Sequence, residues 1–170
     1  MKKLIILLIL LVSVLFTAGC TENPENPENP AIAQETQEES VVANLTDLEQ
    51  INTSVQEGPV FVKIGSEGCY ACREMEPILS DLAAKYGGQV TVMSADIVES
   101  PQLAVYFGIN YIPDSFVLVG IENGEYVYMQ DNGNVTTDRL QARVLGAGDT
   151  QVYEELIDMA ILYYENVNAK

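Results

Sequence analysis

Two cysteines two residues apart, Cys69 and Cys72 in Gly68-Cys69-Tyr70-Ala71-Cys72-Arg73, are the residues of this chain best suited to chemistry. They stand where an apolar run, Val60-Phe61-Val62-Lys63-Ile64, gives way to Ala71, Met75, Ile78, Leu79, Leu82, Ala83 and Tyr86 at three- and four-residue spacing. The run reads as a buried strand and the spacing as a helix, so the pair opens a helix at a strand's end. Cysteines so placed can close into a disulfide with little backbone movement. Cys69 lies beside backbone N–H groups that have no partner inside the helix, and at the positive end of its dipole, which favours thiolate over thiol. It is the expected nucleophile. Cys72, one turn further in and more buried, is placed to attack the mixed disulfide that Cys69 forms and to release the product.

Other readings of a C-x-x-C fit less well. A zinc site takes about four ligands, and the chain has no histidine and one further cysteine, Cys20. An incidental pair does not call for the strand before it and the helix after it, which are the setting that makes the motif informative. No metal and no organic cofactor is expected.

The chain's 170 residues allow one ordinary domain with additions, and a hydrophobic content of 48% is enough for a core. Eight basic against 25 acidic residues leave a net charge of −17. That balance argues against nucleic acid or an anionic membrane surface as an electrostatic partner, and is compatible with a neutral or basic protein client. Three cysteines are odd for a secreted disulfide scaffold, so Cys20 needs another role.

The N-terminus supplies one. Met1-Lys2-Lys3, then Leu4 to Phe16, apolar except for Ser13, then Thr17-Ala18-Gly19-Cys20, has the three parts of an export signal. The roughly 13-residue apolar centre suits a signal peptide better than a spanning helix, which needs about 20; an uncleaved anchor would leave the domain on the same side of the membrane. The ending resembles a lipoprotein lipobox, in which the cysteine after the cut is lipidated and becomes the mature N-terminus. Ala18, Gly19 and Cys20 match it, and Thr17 stands where an aliphatic residue is usual. The resemblance implies a signal peptide over residues 1–19 and a lipid anchor at Cys20, holding the protein to the extracytoplasmic face of the cell membrane. Residues 20–40 then repeat Glu-Asn-Pro three times and run into a Gln/Glu-rich stretch. Such a segment has too little apolar surface to offset its ordering entropy and reads as a tether.

The folded domain is expected from Val41. Val41-Val42 reads as a short strand, and Thr46-Asp47-Leu48-Glu49 has capping-box spacing ahead of a helix carrying Leu48, Ile51 and Val55. Gly58-Pro59 stops it. Gly87-Gly88 ends the cysteine helix, and Val90 to Met93 reads as a strand. Ser100-Pro101 opens a short helix through Phe107, Asn123-Gly124 turns a hairpin between Ser115–Val119 and Tyr126–Met129, and Thr137 to Leu145 reads as a further helix.

That order, with the motif at the end of the second strand, resembles the thioredoxin fold over about residues 41–146. The matching points are Cys69 and Cys72, Pro77 at the family's helix kink, Ile112-Pro113 before the hairpin, Asn123-Gly124 in its turn, and Gly133 ahead of the last helix. The resemblance implies an α/β fold with a central mixed β-sheet flanked by helices. It also implies that Pro113 is cis and lies against the cysteine pair, and that Ile112 and Pro113, with Tyr70 and Ala71, receive the client peptide. Where thioredoxins proper carry Trp-Cys-Gly-Pro-Cys, Gly68 and Tyr70-Ala71 differ, so their redox poise does not carry over. Lys63 occupies the position of the family's buried acid, and Asp114 that of the threonine after the cis proline.

Lys63 has two readings. Its ammonium either reaches toward Cys72 and favours the thiolate, or runs out to solvent from the strand end. Glu67, Glu74 and Glu76 oppose thiolate formation and read as a solvated acidic surface. Beyond the family pattern, residues 147–170 form an added C-terminal helix, opened by Asp149-Thr150, with Val152, Leu156, Ala160, Tyr163 and Val167 in one stripe and Tyr153, Ile157, Leu162 and Tyr164 broadening it. It either packs on the domain or meets a partner.

The expectation is a monomeric, membrane-anchored, extracytoplasmic thiol-disulfide oxidoreductase that acts on protein thiols and disulfides and is reset by a separate redox partner. The alternative is a surface-tethered binding module of the same fold whose cysteines form a static disulfide.

Overall fold

The computed structural model describes residues 41–169. The export signal, Cys20 and the tether lie outside the described residues. In chain order the elements are β1 (Ala43–Asn44), α1 (Leu48–Ser54), β2 (Val60–Gly65), α2 (Tyr70–Glu74), α3 (Glu76–Tyr86), β3 (Thr91–Asp96) and α4 (Pro101–Tyr106). There follow β4 (Asp114–Glu122), β5 (Glu125–Met129), β6 (Val135–Thr136), a 3₁₀ turn (Arg139–Gln141), β7 (Val144–Leu145) and α5 (Thr150–Asn168).

The sheet runs β1-β3-β2-β4-β5-β6, with β7 on the other edge of β4's first residues. β1 and β2 pair with β3 in parallel; β2, β5 and β7 pair with β4 antiparallel. Every residue of β2 is buried, because helices cover both faces of the sheet. On one face Phe61, Val117 and Val119 meet Met75, Leu79 and Leu82 from the cysteine helices and Tyr153, Leu156, Ile157 and Ala160 from α5. On the other, Val62, Ile64, Phe116 and Leu118 meet Ile51 from α1 and Leu103 and Phe107 from the α4 region.

Local chemistry sets most boundaries. The capping box of α1 lies one residue later than its spacing suggested: Asp47 accepts the N–H groups of Glu49 and Gln50, and Gln50 Oε1 accepts those of Thr46 and Asp47. The first strand is likewise Ala43–Asn44 rather than Val41–Val42, set by its parallel register with Met93 and Ser94. The cysteine helix breaks at Met75, and Pro77 sits in the first turn of α3. Asn123 and Gly124 take φ of 53° and 84°, the left-handed pair a two-residue hairpin turn requires.

The helix expected over Thr137–Leu145 does not form. Asp138 closes a single 3₁₀ turn by accepting the Leu140 N–H, and Val144–Leu145 pairs with Asp114 and Ser115 of β4. Strand pairing and the burial of Arg139 override the local pattern. α5 buries Tyr153, Leu156, Ile157 and Ala160, while Val152, Leu162 and Val167 stay exposed, so its inner face is turned from the expected stripe. Among the described residues no helix is long and apolar enough to cross a membrane.

Candidate active site

The cysteine pair lies where β2 ends and α2 begins. Cys69 is the N-cap of α2, and its Sγ accepts the Cys72 N–H at 3.3 Å. Cys72 is buried and Cys69 half-buried; both thiols are free. The Cys72 thiol, the N–H groups of Cys72 and Ala71, and the Lys63 charge hold the Cys69 thiol below its ordinary range, with its own desolvation working the other way. Burial, reinforced by the hydrogen bond to Cys69, pushes Cys72 up to about 11. The two sulfurs are therefore unlike: one is nearer solvent and the more easily ionised, the other buried and held as a thiol.

The loop ahead of Cys69 is pinned from β3. Asp96 Oδ2 accepts the Glu67 N–H at 2.8 Å and its Oδ1 the Val98 N–H at 2.6 Å, while Arg73 Nη1 donates to the Glu67 carbonyl at 2.8 Å. Bonds from Val98 and Glu67 hold the Asp96 carboxyl below the usual range. Gly68, with no side chain, stands at the exposed end of this loop.

Lys63 does not run out to solvent. Only 3% exposed, it donates to Glu76 Oε1 at 2.9 Å and to Ser94 Oγ at 3.3 Å. Gly65 makes room for it: a Cβ there would stand 2.8 Å from Lys63 Cε, 3.1 Å from its Nζ and 2.9 Å from Cys72 Sγ. Ammonium and sulfur thus face one another across the space a Cβ would fill, within about 6 Å, the range in which an opposite charge favours a thiolate. A cleft of about 730 Å³, lined by Lys63, Arg73, Glu67, Glu76, Ser94 and Asp96, lies on the Lys63 side of the pair without reaching either sulfur. Glu76, expected as part of a solvated acidic surface, is exposed and also pairs with the buried lysine.

On the other side of Cys69 lies the Ile112–Pro113 peptide, which is cis. The Ile112 carbonyl is 3.9 Å from Cys69 Sγ, as acceptor for its thiol. Ile112 is half-buried and Pro113 buried, whereas Tyr70 and Tyr111 are exposed and Ala71 half-buried. Cys69, Cys72, Lys63 and Ile112 are therefore assembled at one end of the sheet. Cys20 is outside the described residues. Among the described residues no three His, Cys, Asp or Glu side chains converge on a metal position.

The sequence reading missed Gly65, Asp96 and Arg139. Gly65 carried a signal, a glycine directly after a buried strand. Arg139 had a fainter one: Asp114, at the buried start of β4, needs a cation, and the chain has few. Arg139 Nη1 lies 2.8 Å from Asp114 Oδ1.

Comparison with known proteins agrees with this geometry. The family model described as Thioredoxin matches residues 31–145, more than half of the chain. A chloroplastic thioredoxin M-type of Zea mays is 34% identical over 71 residues, 42% of this chain and 42% of that protein. Thioredoxin M2, chloroplastic, of Arabidopsis thaliana is 28% identical over 104 residues, 57% of this chain and 53% of that protein. The chain thus spans 42% and 53% of the length of these two relatives. The crystal structure of thioredoxin from Trypanosoma brucei brucei shares the fold, with a TM-score of 0.54 at 14% identity over 75% of this chain and 97% of that one. The buried strand, the cysteine pair at the following helix start and the matched stretch point the same way, and the chain belongs to the thioredoxin family.

Proposed function

We propose that the protein exchanges thiols and disulfides in client proteins through Cys69 and Cys72. The observation that carries this reading is the inequality of the two sulfurs, one ionisable at the rim and one buried behind it. The Cys69 thiolate attacks a client disulfide; a mixed disulfide forms and one client sulfur leaves as thiolate. Cys72 then gives up its proton and attacks Cys69 Sγ, the second client thiolate leaves, and the protein holds the Cys69–Cys72 disulfide. Two electrons have passed to the client, and a redox partner returns them. Run backwards, the same steps oxidise a client dithiol. Ile112 and Pro113, flanked by Tyr70 and Ala71, receive the client backbone beside Cys69.

Lys63 supports the second step. Its charge faces the sulfur that must ionise. The site works from a lipid anchor at Cys20 on the extracytoplasmic face of the membrane, a reading supported by the export-type N-terminus.

Replacing Cys69 by serine abolishes turnover of a disulfide-bonded protein in the presence of dithiothreitol; retained turnover contradicts the mechanism. Lys63→Met slows resolution of the Cys69–client mixed disulfide by about tenfold, the worth of one pKa unit at Cys72. Mass spectrometry of quenched reactions reads it as a longer-lived adduct, and an unchanged adduct lifetime removes Lys63 from the mechanism. The wild-type protein takes up a labelled fatty acid and Cys20→Ser does not; equal labelling of the two, or none in the wild type, contradicts the lipid anchor.

A further inference from the structure

The 3₁₀ turn between β6 and β7 places a buried arginine beneath the loop that carries Ile112. Arg139 Nε donates to the Phe107 carbonyl at 2.7 Å and Nη2 to the Gly108 carbonyl at 3.5 Å, where the loop leaves α4. Nη1 donates to Asp114 Oδ1 at 2.8 Å, where the loop enters β4. One planar guanidinium therefore closes both ends of the loop that displays Tyr111 and Ile112. The residue after β7 adds a backbone tie, as the Gly146 N–H donates to the Pro113 carbonyl at 2.8 Å.

Stability alone is a poor reason for this arrangement. Asp114 is wholly buried, its Oδ2 has no hydrogen-bond partner among the described residues, and Arg143 Nη1 stands 3.7 Å from that oxygen. A buried ion pair with an unsatisfied oxygen is often no more stabilising than well-packed apolar residues of the same volume. What it supplies is geometry, because a planar fork with fixed donors holds three acceptors in one arrangement. The pair also sits on the sheet face opposite Cys72: the guanidinium lies over Phe116, 5.4 Å from its ring centroid, among the residues packed with Ile64 and Phe107. It is placed to act on the loop and not on the acidity of the cysteines.

We propose that Arg139 is a positioning residue for client capture, setting the Ile112 carbonyl over Cys69 by clamping Phe107, Gly108 and Asp114. The proposal rests on the oxidoreductase reading and deepens it. A client with an extended segment around its disulfide uses the Ile112 backbone, whereas a small disulfide with no peptide backbone reacts with Cys69 without it. Loss of the clamp therefore penalises the first kind of substrate and spares the second.

The test compares insulin with cystamine as disulfide substrates for the full chain, with dithiothreitol as electron source. Arg139→Met raises KM for insulin by about tenfold with kcat little changed, the pattern of lost binding and not of lost chemistry. The rate with cystamine and the pH dependence of Cys69 alkylation stay at wild-type values. Because Arg139→Met leaves the buried Asp114 with only the more distant Arg143, 3.7 Å away, the Arg139→Met/Asp114→Asn double variant keeps the comparison open if the single variant does not fold, and shows the same rise in KM. Arg139→Lys keeps a charge for Asp114 but not the fork, so it recovers thermal stability without recovering KM. A KM for insulin within about twofold of wild type in the double variant overturns the proposal. So does a parallel loss with insulin and cystamine, or a KM that Arg139→Lys restores together with stability. Wild-type protein that turns over neither disulfide overturns the oxidoreductase reading itself, an outcome separate from these.

Discussion

The burial of Cys72 against the end of β2, with Cys69 left at the rim three residues earlier, is the constraint on which the rest of the structure depends. It requires a strand covered on both faces, a helix that starts where the strand stops, and a helix break at Met75 that lets the first turn and the longer α3 pack separately. From it follows the difference in acidity between the sulfurs, since desolvation opposes ionisation at one and backbone N–H groups favour it at the other. Chemically identical side chains are made unequal through position, the inequality on which the proposed attacking and resolving roles rest.

The chain's few cations are used in the same economical way. Of eight basic residues, Lys63 and Arg139 are the buried ones among the described residues, and each lies under a different part of the site. A buried cation is tolerated where it is paired and hydrogen-bonded. Lys63 has Glu76 and Ser94 on the face of the sheet that holds Cys72; Arg139 has Asp114 and two loop carbonyls on the face that supports Ile112. The surrounding negative charge sits mainly at the surface, where water screens it.

What was legible in the sequence was local. The buried run of β2, the cysteine pair at a helix start, the Asn123-Gly124 turn and Ile112-Pro113 are short patterns whose chemistry is nearly independent of distant residues, and these carried the family resemblance. Lys63 was recognised as unusual, but two readings stayed open because its partner, Glu76, lies on a helix beyond the motif. Gly65 decides between them by leaving the gap that Lys63 and Cys72 face. Residues 137–145 were misread as a helix, because Val144 and Leu145 find β4, a partner thirty residues away in sequence. With that segment misread, Arg139 could not be placed under the Ile112 loop at all.

The most direct test of this account is the order in which the two thiols react. Reduced protein is pulsed with iodoacetamide across a pH series, and alkylation at Cys69 and Cys72 is quantified separately by peptide mass spectrometry. Cys69 is expected to be modified first, at lower pH than an ordinary thiol, while Cys72 resists until the solution nears the value of about 11 to which burial raises it. Modification of both cysteines together, or of Cys72 first, would contradict the division of roles between them.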